Sequence, residues 1–259
     1  MIDHVGELWR FRALISALVV RHLSIRYRGS VLGFLWSFLN PLCLMLVYTL
    51  VFKFYIRFDS VPNYTIFLFC GLLPWLWFTS AVSEGTSSIV SSGHLITKSM
   101  FPPHVLPTVA VLTTLVNFLL SLPLLFIFMF FAGMPFHAAL LGLPIVILLQ
   151  FIFLVGLALG LGALNVQYRD VQHLVTNLLT FLFFLCPILY PVSSVPEQFR
   201  FTLDLNPLAL FTVFYHNLIL DGVWPSLNAW VYLIAWVGFV MLAGYAIFNR
   251  HREGFAESL

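Results

Sequence analysis

Few groups in this chain could do chemistry. Its 259 residues hold 10 Asp and Glu, 12 Lys and Arg, and 8 His. Asp170, Glu197, Asp204 and Asp221 fall between apolar runs, where they could serve acid–base work on a membrane-bound substrate or simply make turns and helix caps. The two lysines, Lys53 and Lys98, do not follow a glycine, so the phosphate-cradling G-x-x-x-x-G-K-[ST] loop is absent. H-E-x-x-H and G-x-S-x-G are missing too, and no two histidines stand four apart, which leaves a metal site or a serine nucleophile without support. Cys43, Cys70 and Cys186 sit singly inside apolar runs and read as packed free thiols. Aromatic residues are the richer resource, at 17% of the chain. Trp36, Tyr48, Trp75, Trp77 and Tyr190 lie in or beside apolar runs, where their faces could stack on the C–H faces of sugar rings along a passage. Interfacial belts and ordinary packing are the competing duties.

The elements that would position these residues follow from composition. Apolar residues make up 61% of the chain, charged residues 8%, and mean hydropathy is +1.00. So few charges cannot keep the surface of a soluble domain this size wet. In lipid every backbone polar group must be paired within the segment, and continuous apolar runs select helices over the alternating strands of a barrel. Six runs reach the roughly 20 residues of a span: 32–52, 64–82, 105–132, 139–164, 174–192 and 228–248. None contains Lys, Arg, Asp or Glu. Pro41, Pro74, Pro123, Pro144 and Pro187 predict kinks, since each removes a backbone donor.

Placing both termini in the cytoplasm puts Arg10, Arg12, Arg21, Arg26, Arg28, Lys98, Arg169, Arg250 and Arg252 inside, and Lys53, Arg57 and Arg200 outside. Residues 3–28 differ from the spans. Leu8, Phe11, Ile15, Leu18 and Ile25 recur at helical spacing, with Arg10, Arg21 and Arg28 off that face. This predicts a helix in the inner interface with its arginines toward head groups; a seventh span would bury those arginines in hydrocarbon. The segment 83–104 predicts a short cytoplasmic helix, capped by Ser83 or Thr86 and ended by Gly93. Residues 193–227 mix polar groups with an apolar stretch too short to cross, as broken or re-entrant helices near the outer face would; 249–259 form a cytoplasmic tail. The fold class is thus all-α integral membrane, one transmembrane domain over 1–259.

Charge-free spans offer no group to bind a proton or cation, which argues against coupling to an ion gradient. With no nucleotide loop in the chain, uphill transport would need a separate ATPase. The net charge of +2 gives no reason to expect nucleic acid.

Several stretches then align with a known family. The chain resembles ABC-2 type permeases that export polysaccharides such as O-antigen, capsule and teichoic acid. The matching pieces are R-Y-R-G-S-V-L-G-F-L-W-S-F-L-N-P-L at 26–42, G-L-L-P-W-L-W-F at 71–78, S-E-G at 83–85, L-I-T-K-S-M-F-P at 95–102, L-N-V-Q-Y-R-D-V at 164–171, C-P-I-L-Y-P at 186–191, V-P-E at 195–197 and L-N-P-L at 205–208. They run in family order across nearly the whole chain. The resemblance implies a homodimer in the bacterial inner membrane, with two ATPase subunits that bind ATP and magnesium, and a passage for a lipid-linked glycan. It places ATPase coupling on Glu84, Lys98 and the triplet Tyr168, Arg169, Asp170, where the last two could form a salt bridge or grip the partner. It places an outer gate on 193–222, with Pro196, Asn206, Pro207 and Tyr215. Two departures stand out: Phe255-Ala256-Glu257 where the family often has F-A-D, and His216 where an arginine is common. The alternatives are an ABC-2 permease for a small hydrophobic solute or lipid, and a membrane-embedded transferase acting on lipid-linked sugars.

Overall fold

The computed structural model describes residues 6, 9–57, 61–93 and 102–255. Their regular elements are all helical: α1 (Arg12–Tyr27), α2 (Trp36–Thr49), α3 (Tyr64–Ser91), α4 (Val105–Phe131), α5 (Leu143–Gln167), α6 (Val171–Phe184), α7 (Phe201–Asp204), α8 (Pro207–His216) and α9 (Leu227–His251). Five stretches are long and apolar enough to cross a membrane: Gly33–Tyr55, Tyr64–Ser91, Val105–Phe131, Ala138–Gln167 and Leu227–Gly254. They coincide with five of the six expected runs. The helix Glu197–Asp204 and the stretch Pro207–Asp221 meet at 99°, a broken pair of the kind expected before the last span.

The fifth run departs from expectation. α6 has 14 residues, about 21 Å at 1.5 Å each, against a hydrocarbon core of roughly 30 Å. Pro187 ends this helix rather than kinking it, because the ring disfavours helical geometry at Cys186. The chain then turns irregularly, which is tolerable at this depth only when protein covers the backbone. Cys186 and Ile188 have no exposed surface, and the loose carbonyls find donors. Tyr64 donates its hydroxyl to Leu189 O (2.8 Å), Tyr190 to Phe184 O (2.9 Å), and the Asn206 amide to Leu185 O (3.4 Å). Pro144 is a second correction. It stands in the first turn of α5, where a missing N–H costs nothing. Pro41, Pro74 and Pro123 lie inside α2, α3 and α4.

The tail of α3 is a third correction. Ser83 and Thr86 cap nothing; the helix runs unbroken to Ser91. Thr86 Oγ1 donates back to Val82 O at 2.7 Å, and Ser88 Oγ to Gly85 O at 2.7 Å, so these hydroxyls are satisfied inside the helix. What holds the tail is packing on α5. A Cβ on Gly85 would strike Ala158, and Asn165 donates its amide to Thr86 O at 3.1 Å. Residues 94–101, Lys98 among them, lie outside the described residues.

α3 is the centre of the fold, with 78% of its apolar window buried, whereas α2 buries 17%. α5 and α9 cross at backbone contact: a Cβ on Gly156 would sit 2.7 Å from Met241 Cα, and one on Gly244 would collide with Gly156 O. In α1, Ile15 and Leu18 pack on Val105 and Val109 of α4. Ile25, expected on the same apolar face, is 57% exposed, because α1 packs on α4 through Phe11–Val19 and its end pairs with α3 instead. Arg10, Arg21 and Arg28 are exposed, while residues 3–5, 7 and 8 of the expected interfacial helix lie outside the described residues.

Candidate functional site

Two cavities flank α2, both walled by α3. The first, about 770 Å³, opens between α2, α3 and α4, with Trp36, Ser37, Asn40, Trp77, Asn117 and Phe118 in its lining. The second, about 570 Å³, lies between α2, α3 and α6 and includes Tyr48, Trp75, Thr79, Thr176, Thr180 and Phe183. They meet at Leu44, Leu76 and Ser80. The helical repeat explains the division. Residues 73, 76, 77 and 80 of α3 share one face, and 72, 75, 79 and 83 share the adjoining one.

Four of the five predicted aromatics therefore line these cavities. Trp77 is nearly sealed and stacks on Phe118, with centroids 4.8 Å apart and planes 15° apart. Tyr48 stacks on Phe183 at 5.6 Å, and Trp75 lies 5.7 Å from the same ring. Trp36 is 42% exposed and donates its indole N–H to Ser30 Oγ at 3.1 Å. Tyr190 lines neither cavity; it closes the end of α6 instead.

Formal charge in the two linings comes from Arg26 and Glu84, one in each cavity. They are joined: Arg26 Nη2 donates to Glu84 Oε1 at 2.8 Å, tying the end of α1 to the tail of α3. Both side chains remain partly open to solvent, so the pair is worth about 0–1 kcal/mol and can be exchanged for other partners at little cost. Glu84 was expected in a separate short helix within 83–104; it lies instead on the continuous α3 and lines the second cavity.

Tyr168, Arg169 and Asp170 form the exposed link between α5 and α6. Among the described residues neither Arg169 nor Asp170 joins an ion pair, so the salt bridge considered for them is not made here. Their neighbours do the fastening: Gln172 N donates to Asn165 Oδ1 at 3.2 Å, and its side-chain amide to Ser83 Oγ at 3.3 Å. Asn165 and Gln172 were not singled out in the sequence. An amide in or beside an otherwise apolar run was the available signal.

In the broken pair, Asn206 caps α8 by accepting from Leu208 N at 3.0 Å, with Pro207 in the first turn. Pro196 is exposed ahead of the turn Glu197–Phe199. Tyr215 has no exposed surface and anchors α8 to the core rather than lining an opening. Its hydroxyl donates to Gln150 Oε1 (2.8 Å), and Gln150 Nε2 donates to Pro74 O (3.1 Å). The Cys70 thiol lies 3.6 Å from Tyr215 O, and His216 Nε2 is 3.2 Å from Phe67 O. His216, standing where an arginine is common, is thus a buried anchor. Gln150 went unnoticed in the sequence, though it is the polar side chain midway along an apolar run.

Comparison with known proteins gives a consistent result. Residues 13–220 match the family model described as ABC-2 type transporter. Among similar proteins, the O-antigen export system permease protein RfbA of Myxococcus xanthus is 43% identical over 263 residues, covering all of both chains. A Klebsiella pneumoniae protein of the same name is 35% identical over 249 residues, 95% of each chain. The polysialic acid transport protein KpsM of Escherichia coli is 24% identical over 251 residues, 95% of this chain and 96% of its own. With its helices, its flanked α2 and its broken pair of helices before the last span, the chain belongs to the ABC-2 type transporter family of membrane proteins.

Proposed function

We propose that this chain is the membrane permease of an exporter that moves a lipid-linked polysaccharide, O-antigen in particular, across the bacterial inner membrane. It is a transport subunit and not an enzyme; the work comes from a separate ABC ATPase that binds ATP and magnesium. The observation that carries this reading is the cavity along α2, α3 and α6. Aromatic faces there alternate with the hydroxyls of Thr79, Thr176 and Thr180, a lining suited to a sliding sugar chain that needs both stacking and exchangeable hydrogen bonds. Sequence identity over nearly the whole length to proteins named as O-antigen export permeases supports the same assignment.

In this reading two copies form the passage. The outward apolar faces of α2 and α6, including Leu46, Val47, Leu174, Leu178 and Phe181, supply the surface that a second copy or lipid must cover. Two ATPase subunits dock on the cytoplasmic side, where Glu84, Lys98, Tyr168, Arg169 and Asp170 lie when both termini are cytoplasmic. Arg169 and Asp170 are exposed and form no ion pair among the described residues, which favours a partner contact. Arg10, Arg21 and Arg28 face anionic head groups, and the broken pair carrying Pro196, Asn206, Pro207 and Tyr215 closes the outer side. Closure of the ATPases pushes on α1 and α3 and opens the passage. Deleting the gene is expected to abolish surface polymer while lipid-linked glycan accumulates inside, with restoration by the chain plus its ATPase. Normal surface polymer in the deletion strain would refute the reading.

A further inference from the structure

The cavity between α2, α3 and α4 lies on the other flank of α2 from the α6 hydroxyls and plays no part in the passage described above. Its contents are not those of a packing defect. At about 770 Å³ it falls in the range of roughly 300–1,000 Å³ typical of small-molecule sites. Empty defects among membrane helices are apolar, whereas this one is ringed by Ser37, Asn40, Ser80, Thr114, Asn117 and Ser121. Thr114 and Ser121 already donate their hydroxyl hydrogens to backbone carbonyls, so each offers lone pairs to an incoming O–H.

Trp77 adds an independent sign. It lines the cavity, is 2% exposed, and its buried indole N–H has no acceptor among the described residues. A buried donor left so costs about 1–3 kcal/mol, a cost that a ligand oxygen would remove. The Trp77–Phe118 stack beside it presents apolar surface to a ring face. Arg26 lies in the lining where α1 meets the tail of α3. Its guanidinium spends one hydrogen bond on Glu84 and keeps other N–H donors for a second anion. Since α1 is the interfacial helix, this part of the cavity lies at head-group depth.

We infer that this cavity docks the glycosyl-phosphate head of the lipid-linked polysaccharide, with Arg26 binding the phosphate and the Asn40–Trp77–Asn117 walls holding the adjoining sugar. The inference rests on the export reading, and it adds a holding site distinct from the passage. Glu84 competes with the phosphate for Arg26, so the site exchanges one charge pair for another as the head group arrives.

The test uses the full chain with its ATPase in nanodiscs, titrated with farnesyl-diphospho-N-acetylhexosamine. Asn40→Leu, at an exposed position, should weaken binding at least tenfold, and Asn40→Ala gives a second reading should the first fail to fold. Arg26→Gln should weaken it to a similar degree, whereas Glu84→Gln should tighten it severalfold. Equal losses from Arg26→Gln and Glu84→Gln would mean that the ion pair is merely structural and would overturn the proposal. So would a larger loss from Thr180→Val than from Asn40→Leu, which would put the head group in the other cavity. Farnesyl diphosphate without sugar should bind more weakly and ignore Asn40→Leu, and equal affinity would remove the sugar site. Free N-acetylhexosamine 1-phosphate should respond to the same substitutions at lower affinity; indifference to them would also count against the site. Intact surface polymer in the deletion strain would strike the export reading itself, whereas unaltered probe binding in the variants, with export dependent on the gene, would strike this inference alone.

Discussion

The α5–α9 crossing and the surroundings of α2 are built on opposite terms. At the crossing, Gly156, Gly160 and Gly244 let two backbones touch, so the contact is made of fixed atoms with no side chain able to yield. Around α2 the helix buries 17% of its apolar window and is bordered by two cavities. One side of the molecule can hold a single arrangement; the other can be repacked without breaking a core. A transporter needs both, a frame that carries force and a wall that gives way to cargo.

The largest expected break in this contrast is Gly244→Leu. It drives a side chain into the α5 backbone and should cost about 3 kcal/mol or more, seen as loss of monodisperse protein in detergent. Gly238→Leu, on the same helix with open space around it, should be tolerated; equal damage from both would end the argument for a backbone-tight crossing. Next comes Tyr215→Phe, which strands Gln150 Oε1 in the core and should lower stability by about 1–3 kcal/mol, read as a drop in thermal unfolding temperature. An unchanged midpoint would show that the Pro74–Gln150–Tyr215 chain does not fasten α8. On the yielding side, Tyr48→Ala and Thr180→Val should leave stability within about 0.5–1 kcal/mol while slowing the appearance of surface glycan. If their effect follows stability alone, α2 and α6 return to ordinary packing. The smallest effect belongs to Arg26 and Glu84, whose double-mutant coupling in unfolding should be about 0.2–1 kcal/mol. A value several times larger would make α1 part of the frame.

Much of the frame was legible because hydrocarbon reads composition directly: a charge-free run of about 20 residues has one stable form in lipid. Residues 64–82, 105–132 and 139–164 needed no more than that. Proline was harder. Pro144 and Pro187 look alike in a list of apolar residues, yet one starts a helix and the other ends one, and their place relative to the helix end decides which. The polar word S-E-G-T-S-S at 83–88 read as the capped start of a separate short helix, since serines usually cap or turn. Here its hydroxyls bond back within α3, and its small residues allow close approach to α5. Tertiary contact outweighed local preference. The pairing of Arg26 with Glu84, 58 positions apart, has no local signature, nor does the meeting of Gln150 with Tyr215.

The short α6 has a consequence for how the protein is made. Its terminal carbonyls at Phe184 and Leu185 are answered by Tyr190 and Asn206, residues still inside the ribosome when Val171–Phe184 reaches the translocon. Each unanswered carbonyl in lipid costs several kcal/mol. Insertion of this segment is therefore a delayed event, completed when the following proline-bounded turn and the α8 cap arrive. A nascent chain arrested before residue 206 should hold its first four long spans and leave Val171–Phe184 out of the membrane.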